Sequence, residues 1–352
     1  MNKRFALAGL VCLLSTLSLS AQAATATFQI IADPVAGTWS NFALSGDGKV
    51  MAANYGGEIY RWTVAGGFKD LGPGDLYSSS IGISRDGSTI ISGYIGLDGF
   101  STPAIWDANG AVTDLRHPSN GCTDIGNSWG SGYGLNSSGT AAVGLAWTCT
   151  AAEGFLWTAK RGNLSLGHPA GNHSSRASAI SANGKVIVGF WEDPTGPRRP
   201  VRWVGGTHDL FLGNTPIGEA TAVNSNGSQI VGQTPDGTGN SVAFLYSDAA
   251  GLLSLGTISH SPTDQSIANA ISDNGRVIGW SGDPFGKGIK AFIWTSSLGL
   301  KDLATVLKRM GANIPAGTTL TTALSISADG STMVGQYVDS QFNFGNWMVH
   351  IR

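Results

Sequence analysis

"SAISANGKVIVGF", residues 178–190, decides the fold, because the chain writes it repeatedly. It returns as "NAISDNGRVIGW" at 269–280 and as "LSISADGSTMVGQ" at 324–336. The shared core is an apolar residue, a small polar residue, one free position, then Asp, Asn or Ser, then Gly. A β-rich run ending mostly in Gly follows. Seven copies occur, anchored by Gly48, Gly87, Gly139, Gly184, Gly227, Gly275 and Gly330. Spacings run from 39 residues (Gly48 to Gly87) to 55 (Gly275 to Gly330), the mark of a fixed scaffold with variable loops.

Asp-Gly or Asn-Gly between apolar runs is the strongest short hairpin signal, because both turn residues tolerate positive φ. The anchor therefore joins a first and a second strand. A short aromatic strand follows in each copy, centred on Trp62, Trp106, Trp157, Trp203, Tyr246, Trp294 or Trp347. Six copies then close on a Leu-centred strand such as "KDLG" or "HDLF". Four short antiparallel strands per period of this length make one propeller blade. A single blade cannot bury both faces, so the blades must stack in a ring, with the seven aromatics filling the gaps between them. The seventh copy ends at "NWMVHIR", too early for a fourth strand, and "ATFQIIAD" at 26–33 is expected to supply it. The expectation is all-β: one seven-bladed β-propeller domain over 24–352, four antiparallel strands per blade, the last closed by the N-terminal strand. The competing count is six blades with one irregular copy.

Residues 1–23 read as a signal peptide: Lys3 and Arg4, an apolar stretch, then "AQA" as a cleavage site. A membrane anchor is the alternative reading, but the apolar run is short, and no later stretch would span a bilayer. Secretion or periplasmic residence after cleavage is the expected location. Removing Lys3 and Arg4 takes the net charge from −2 to −4. No basic block remains, which argues against nucleic acid. Fifty-one Gly with only 12% charged and 41% hydrophobic residues suits a turn-rich β protein rather than a disordered chain. Cys122 and Cys149 remain in the mature chain, and in an oxidising compartment the pair reads most simply as a disulfide. Neither has a CxxC partner, so no metal site is expected.

The repeat resembles the extracellular HAF repeat family of bacterial secreted proteins, through "ISANGKVIVG" with "RPVRW" and "ISDNGRVIGW" with "KAFIWT". The family's Ala-Phe stands at Ala243-Phe244 and Ala291-Phe292, but Val242 and Lys290 occupy the position of its His. The resemblance implies a secreted propeller and no particular chemistry.

In a propeller, the loops between strands two and three share one face with those from strand four to the next blade. Trp39, Trp129, Trp147, Trp191 and Trp280 all read onto this loop face. There they would form an aromatic platform for a glycan or protein partner, or simply pack beneath long loops. His117, His168, His173 and His260 fall in the same loops. "FWEDPTGPRRP" at 190–200 adds Glu192, Asp193, Arg198 and Arg199, with Arg176 nearby; "SGDPFGKGIK" brings Asp283 and Lys287. Arginines so placed would grip a carboxylate or form internal ion pairs. Residues 300–315 hold the one helical pattern, with Gly311 as its cap, expected across the funnel or rim between blades six and seven. HExxH, GxSxG, Walker and calcium-loop motifs are absent, and no cofactor is expected.

Two functions follow. The first is a binding or interaction module using Trp39, Trp129, Trp147, Trp191, Trp280 and Arg199 on a glycan or protein partner. The second is a uronate polysaccharide lyase-like enzyme. Its catalytic candidates are His168, His173, Arg176 and Arg198, with Tyr94 or Tyr133 as the acid.

Overall fold

The computed structural model describes residues 24–34, 40–76, 78, 80–96, 99–115, 130–147, 151–171, 173–212, 217–285 and 288–352. The signal segment, the two cysteines, His117, Trp39, Trp129 and Lys287 lie outside them.

Twenty-eight strands form seven four-stranded sheets. β1 (Ala26–Ile31) precedes the first blade, which holds β2 (Ser40–Leu44), β3 (Val50–Tyr55), β4 (Glu58–Thr63) and β5 (Gly67–Pro73). The second holds β6 (Ile81–Ile83), β7 (Thr89–Ile95), β8 (Ser101–Asp107) and β9 (Val112–Asp114). The third holds β10 (Gly130–Leu135), β11 (Ala141–Trp147), β12 (Ala152–Thr158) and β13 (Gly162–Ser165). The fourth holds β14 (Ser175–Ile180), β15 (Val186–Glu192), β16 (Arg198–Val204) and β17 (Thr207–Asp209). The fifth holds β18 (Glu219–Val223), β19 (Ile230–Pro235), β20 (Ser241–Ser247) and β21 (Gly251–Gly256). The sixth holds β22 (Gln265–Ile271), β23 (Val277–Gly282), β24 (Lys290–Thr295) and β25 (Gly299–Asp302). The seventh holds β26 (Thr319–Ile326), β27 (Thr332–Val338), β28 (Phe344–Ile351) and, outermost, β1. The count of seven and the closure of the last blade are both as the repeat predicts. β1 pairs antiparallel with β28, from Ala26 opposite Ile351 to Ile31 opposite Asn346, and so ties residues from both ends of the described chain into one sheet.

The blade aromatics do pack between sheets. Trp106, Trp203 and Trp347 are fully buried, and Trp62 and Trp294 nearly so; Trp157 and Tyr246 are half-buried. Trp203 also donates from Nε1 to the Leu166 carbonyl of the preceding blade at 3.0 Å. Burying an indole at such a junction is worth several kcal/mol, on the order of 3–5 by truncation.

The anchor turns do more than reverse the chain. All seven anchor glycines have φ between 67° and 83°, a region costly for other residues. The small polar residue before each turn is a clasp. Ser45 Oγ accepts from the Val50 amide and Ser272 Oγ from Arg276, each at 3.0 Å; Asn224 does the same for Gln229 at 3.1 Å. The turns then join hands around the axis. Asp47 N donates to Arg85 O (3.2 Å), Arg85 N to Ser137 O (3.1 Å) and Ser137 N to Ala182 O (3.0 Å). Asn183 N donates to Ser225 O (3.3 Å) and Ser225 N to Asp273 Oδ1 (2.9 Å). Asp273 N donates to Ala328 O (2.7 Å), and Ala328 N to Gly46 O (2.9 Å) closes the ring.

The predicted helix is α1 (Leu303–Arg309), shorter than its pattern, with Asp302 capping the Thr305 amide and Gly311 at φ 85°. It lies between blades six and seven, as expected, and not across the funnel. Leu303 and Leu307 are fully buried in the core between blades six and seven, and Met310 O accepts from the Ala26 amide at the start of β1. Beyond the cap, Ala312 and Ile314 bury in the same core.

Candidate functional site: channel and loop face

The seven innermost strands enclose a central channel of about 360 Å³. Its wall carries one polar side chain per blade: Asn41, Ser80, Tyr133, Ser178, Thr221, Asn269 and Ser325. In blades three to seven the innermost strand slips register at the same place. The extra residues there are Tyr133, Ser178, Thr221, Asn269 and Leu324. A bulge re-aims its side chain, and three of these reach the neighbouring blade. Ser178 Oγ donates to Glu219 at 3.0 Å, Thr221 Oγ1 donates to the Ala268 carbonyl, and Asn269 Nδ2 donates to the Ala323 carbonyl at 2.9 Å.

Arg176 and Arg198 converge, and they converge on carboxylates. Arg176 Nη2 pairs with Glu219 Oε1, while Arg198 lies 3.9 Å from Glu219 Oε2 and 3.8 Å from Glu192. Both guanidinium groups lie over the Phe190 ring, at 5.0 and 4.1 Å, and Arg176 also lies over Tyr133 at 4.8 Å. Burial, reinforced by the Arg198 charge, pulls the Arg176 guanidinium below its ordinary value, and Tyr133 opposes this. Arg199 Nε donates to Asp193 Oδ2 at 2.7 Å. Hydrogen bonds from the Thr195 hydroxyl and amide, then from Arg199, lower the Asp193 carboxyl to about 2. These arginines are thus internal ion pairs. His168 Nδ1 turns to the carbonyl of its own neighbour Pro169 at 2.7 Å, and half-buried His173 precedes Ser174, whose amide donates to Glu192 at 2.7 Å. Tyr94 packs edge-on against Trp106, centroids 6.1 Å apart.

The second strands run past their Gly residues, so Trp147, Trp191 and Trp280 stand on β11, β15 and β23 rather than in the loops after them. Trp147 is exposed, but Trp280 is half-buried. Trp191 is half-buried and stacks on His208, centroids 4.3 Å apart and 10° from parallel. Asp283 accepts from the Phe285 amide at 2.9 Å and holds the tip of its loop.

The loop face also presents residues that reading for Trp passes over. Among the described residues, the exposed large aromatics are Trp147, Phe285, Phe342 and Phe344, and all four are on the loop face. At the strand-three to strand-four turns of the anchor face, the exposed large apolar residues among those described are the aliphatic Val64, Val112, Val204 and Leu298. Phe342 stands in a recurring turn. In blades two, four and five the amides of Gly99, Gly196 and Gly239 donate to the residue three back, with φ of 82°, 105° and 89°. In blade seven Phe342 makes the same bond to Asp339, with φ 63° and its side chain 76% exposed. A bulky residue in the left-handed region costs about 1–3 kcal/mol, and such strain clusters at functional sites. The visible signal was Phe inside polar loop sequence, in "DPFG" and "DSQFNFGN".

No family model matches the chain, and no curated protein matches it. Among solved structures it is similar to the β-propeller domain of the Trilobed protease from Pyrococcus furiosus, at 10% identity, 89% of this chain, 94% of that one and TM-score 0.59. That domain has an open velcro topology; here β1 closes the ring. An acylaminoacyl peptidase is similar at 9% identity and TM-score 0.58, over 93% of this chain and 52% of that one. A chain of the Mitotic Checkpoint Complex is similar at 14% identity and TM-score 0.54, over 99% of both. At these identities the likeness is one of fold. Among the described residues, no helix is long and apolar enough to cross a membrane.

Proposed function

We propose that this chain is a secreted HAF-repeat propeller that acts as a binding module, engaging an extracellular protein partner through its loop face. The observation that carries this is the asymmetry of exposed aromatics: all four on one face, one of them held in a strained turn. Exposed phenyl rings on adjacent blades suit an interface core, where aromatic residues are enriched. They lack the polar edge with which Trp and Tyr grip a sugar, so glycan binding by this face is the competing outcome. What speaks against the lyase reading is that Arg176, Arg198 and Arg199 lie against Glu219, Glu192 and Asp193.

The test is site-specific photo-cross-linking in the native secreted fraction, with a benzophenone residue at Phe342 or, on the opposite face, at Val64. A discrete protein adduct from position 342 only, lost on Phe285→Ser, is the expected result. Equal labelling from both positions, or none, would sink the reading. A glycan-array signal lost on Trp147→Ala would move the partner to a polysaccharide.

A further inference from the structure

The channel is a second place where a ligand would fit, distinct from the loop face. Its two mouths are built differently. At the anchor mouth the turn position just after the clasp residue is Gly46, Arg85, Ser137, Ala182, Ser225, Asp273 or Ala328 in the seven blades. Five are small. The other two meet across the opening: Arg85 of blade two reaches Asp273 of blade six at 3.9 Å and Ser225 of blade five at 3.4 Å. Gly46 makes room for the bar, since a Cβ there would lie 2.6 Å from Arg85 Cγ. The channel is therefore barred at the anchor end, and access is from the loop face.

The wall then decides the class of ligand. Among its described lining residues none is charged, so an ion inside would lose its hydration with no counter-charge. Asn269 commits both amide hydrogens, to Ala323 O and Thr322 Oγ1, leaving Oδ1 as an acceptor. Thr221 commits its hydroxyl hydrogen to the Ala268 carbonyl, leaving lone pairs. Ser178 is already engaged on both sides, donating to Glu219 and accepting from Arg176 Nε at 3.2 Å. Thr221 and Asn269, on adjacent blades, thus offer acceptors and few donors. Across from them, Ile81 and Leu324 add apolar surface beside Asn41, Ser80 and Ser325. A guest that brings its own O–H donors and an apolar C–H face matches both halves. At about 360 Å³ the volume falls among small-molecule sites.

We propose that the channel is a blind pocket for a small uncharged polyhydroxy ligand of the sugar or polyol class. The proposal does not depend on what the loop face binds. Saturation-transfer NMR on the purified mature chain tests it, with glucose, galactose and myo-inositol as neutral probes and glucuronate as the charged one. The expected result is transfer to at least one neutral probe, none to glucuronate, and at least tenfold weaker binding in Ala270→Phe, which fills the channel from its wall. Should that variant fail to fold, Asn269→Leu, which removes the acceptor, takes its place with the same expectation. Phe342→Ser binds like the parent chain. No transfer from any neutral probe, equal transfer to glucuronate, or unchanged binding in both channel variants would overturn the proposal.

Discussion

The two faces of this propeller are made from the same repeat and could hardly differ more. On the anchor face every blade repeats the same turn, and the turns are hydrogen-bonded into a closed circle. On the loop face the connections vary in length and composition, aromatics stand in solvent, and one turn keeps Phe where three others keep Gly. The lesson is that in a repeat protein, recurrence marks what holds the ring together, and departure from recurrence marks where to look for function.

The contrast can be broken by substitution. Gly87→Val should have the largest effect. Its φ is 72°, and a Cβ would meet the Val50 side chain at 2.5 Å, so strain and overlap act together. A loss of about 3 kcal/mol in urea unfolding is expected. Gly162→Ala has a similar φ of 67° but nothing within 4 Å, and about 1 kcal/mol should suffice there. Equal costs at the two sites would refute the claim that anchor crowding matters. Ser272→Ala, which removes the buried hydroxyl that holds the Arg276 amide, should cost about 1 kcal/mol on the same scale.

Acid sharpens the comparison further. Asp47, Asp86 and Asp329 sit in anchor turns, and all three carboxyls lie below the ordinary 3.8. For Asp86 the Ser88 amide is the main cause; for Asp47 and Asp329 burial works the other way and is outweighed by hydrogen bonds from Ser45 and Ser327 and the following residues. A carboxyl depressed on folding contributes stability that is present above its unfolded value and lost as pH falls through the folded one. The melting temperature should therefore drop as pH falls below about 4. The triple change to Asn should flatten that drop, because Asn183, Asn226 and Asn274 already hold the equivalent turns in blades four to six. An unchanged pH profile would mean the anchor carboxylates are not responsible.

The smallest change should carry the opposite sign. Phe342→Gly relieves the left-handed strain on a side chain that is mostly exposed, so it should stabilise the chain by about 1 kcal/mol. It should also abolish cross-linking routed through this turn from a probe at Phe344. A destabilised variant would mean that Phe342 packs for stability and not for contact.

How much of this could be read beforehand follows from the same contrast. The blade count, the closing strand and the inter-blade Trp residues were legible because turn chemistry and burial repeat with the motif. The helix was legible because its apolar face and its capping Gly311 are local signals. Convergence of Arg176 with Arg198 was not legible, since Glu219 belongs to the next blade and is 43 residues from Arg176. Nor was the register slip that turns Ser178, Thr221 and Asn269 toward the channel, because no residue type signals it. The stacking of Trp191 on His208 joins two strands of one blade that no local spacing relates.

Closure by β1 also sets an order of events. Ala26 pairs with Ile351, a separation of 325 residues in a chain of 352. β1 therefore waits for β28, the last strand of the ring to be made. Until the C-terminal residues arrive, six blades can form from local hairpins while the seventh lacks its third strand, which is also the partner of β1. Loop closure of that span is slow compared with hairpin formation. Assembly should thus show a late phase whose rate falls when β1 or β28 is weakened and which leaves the folding of the middle blades untouched.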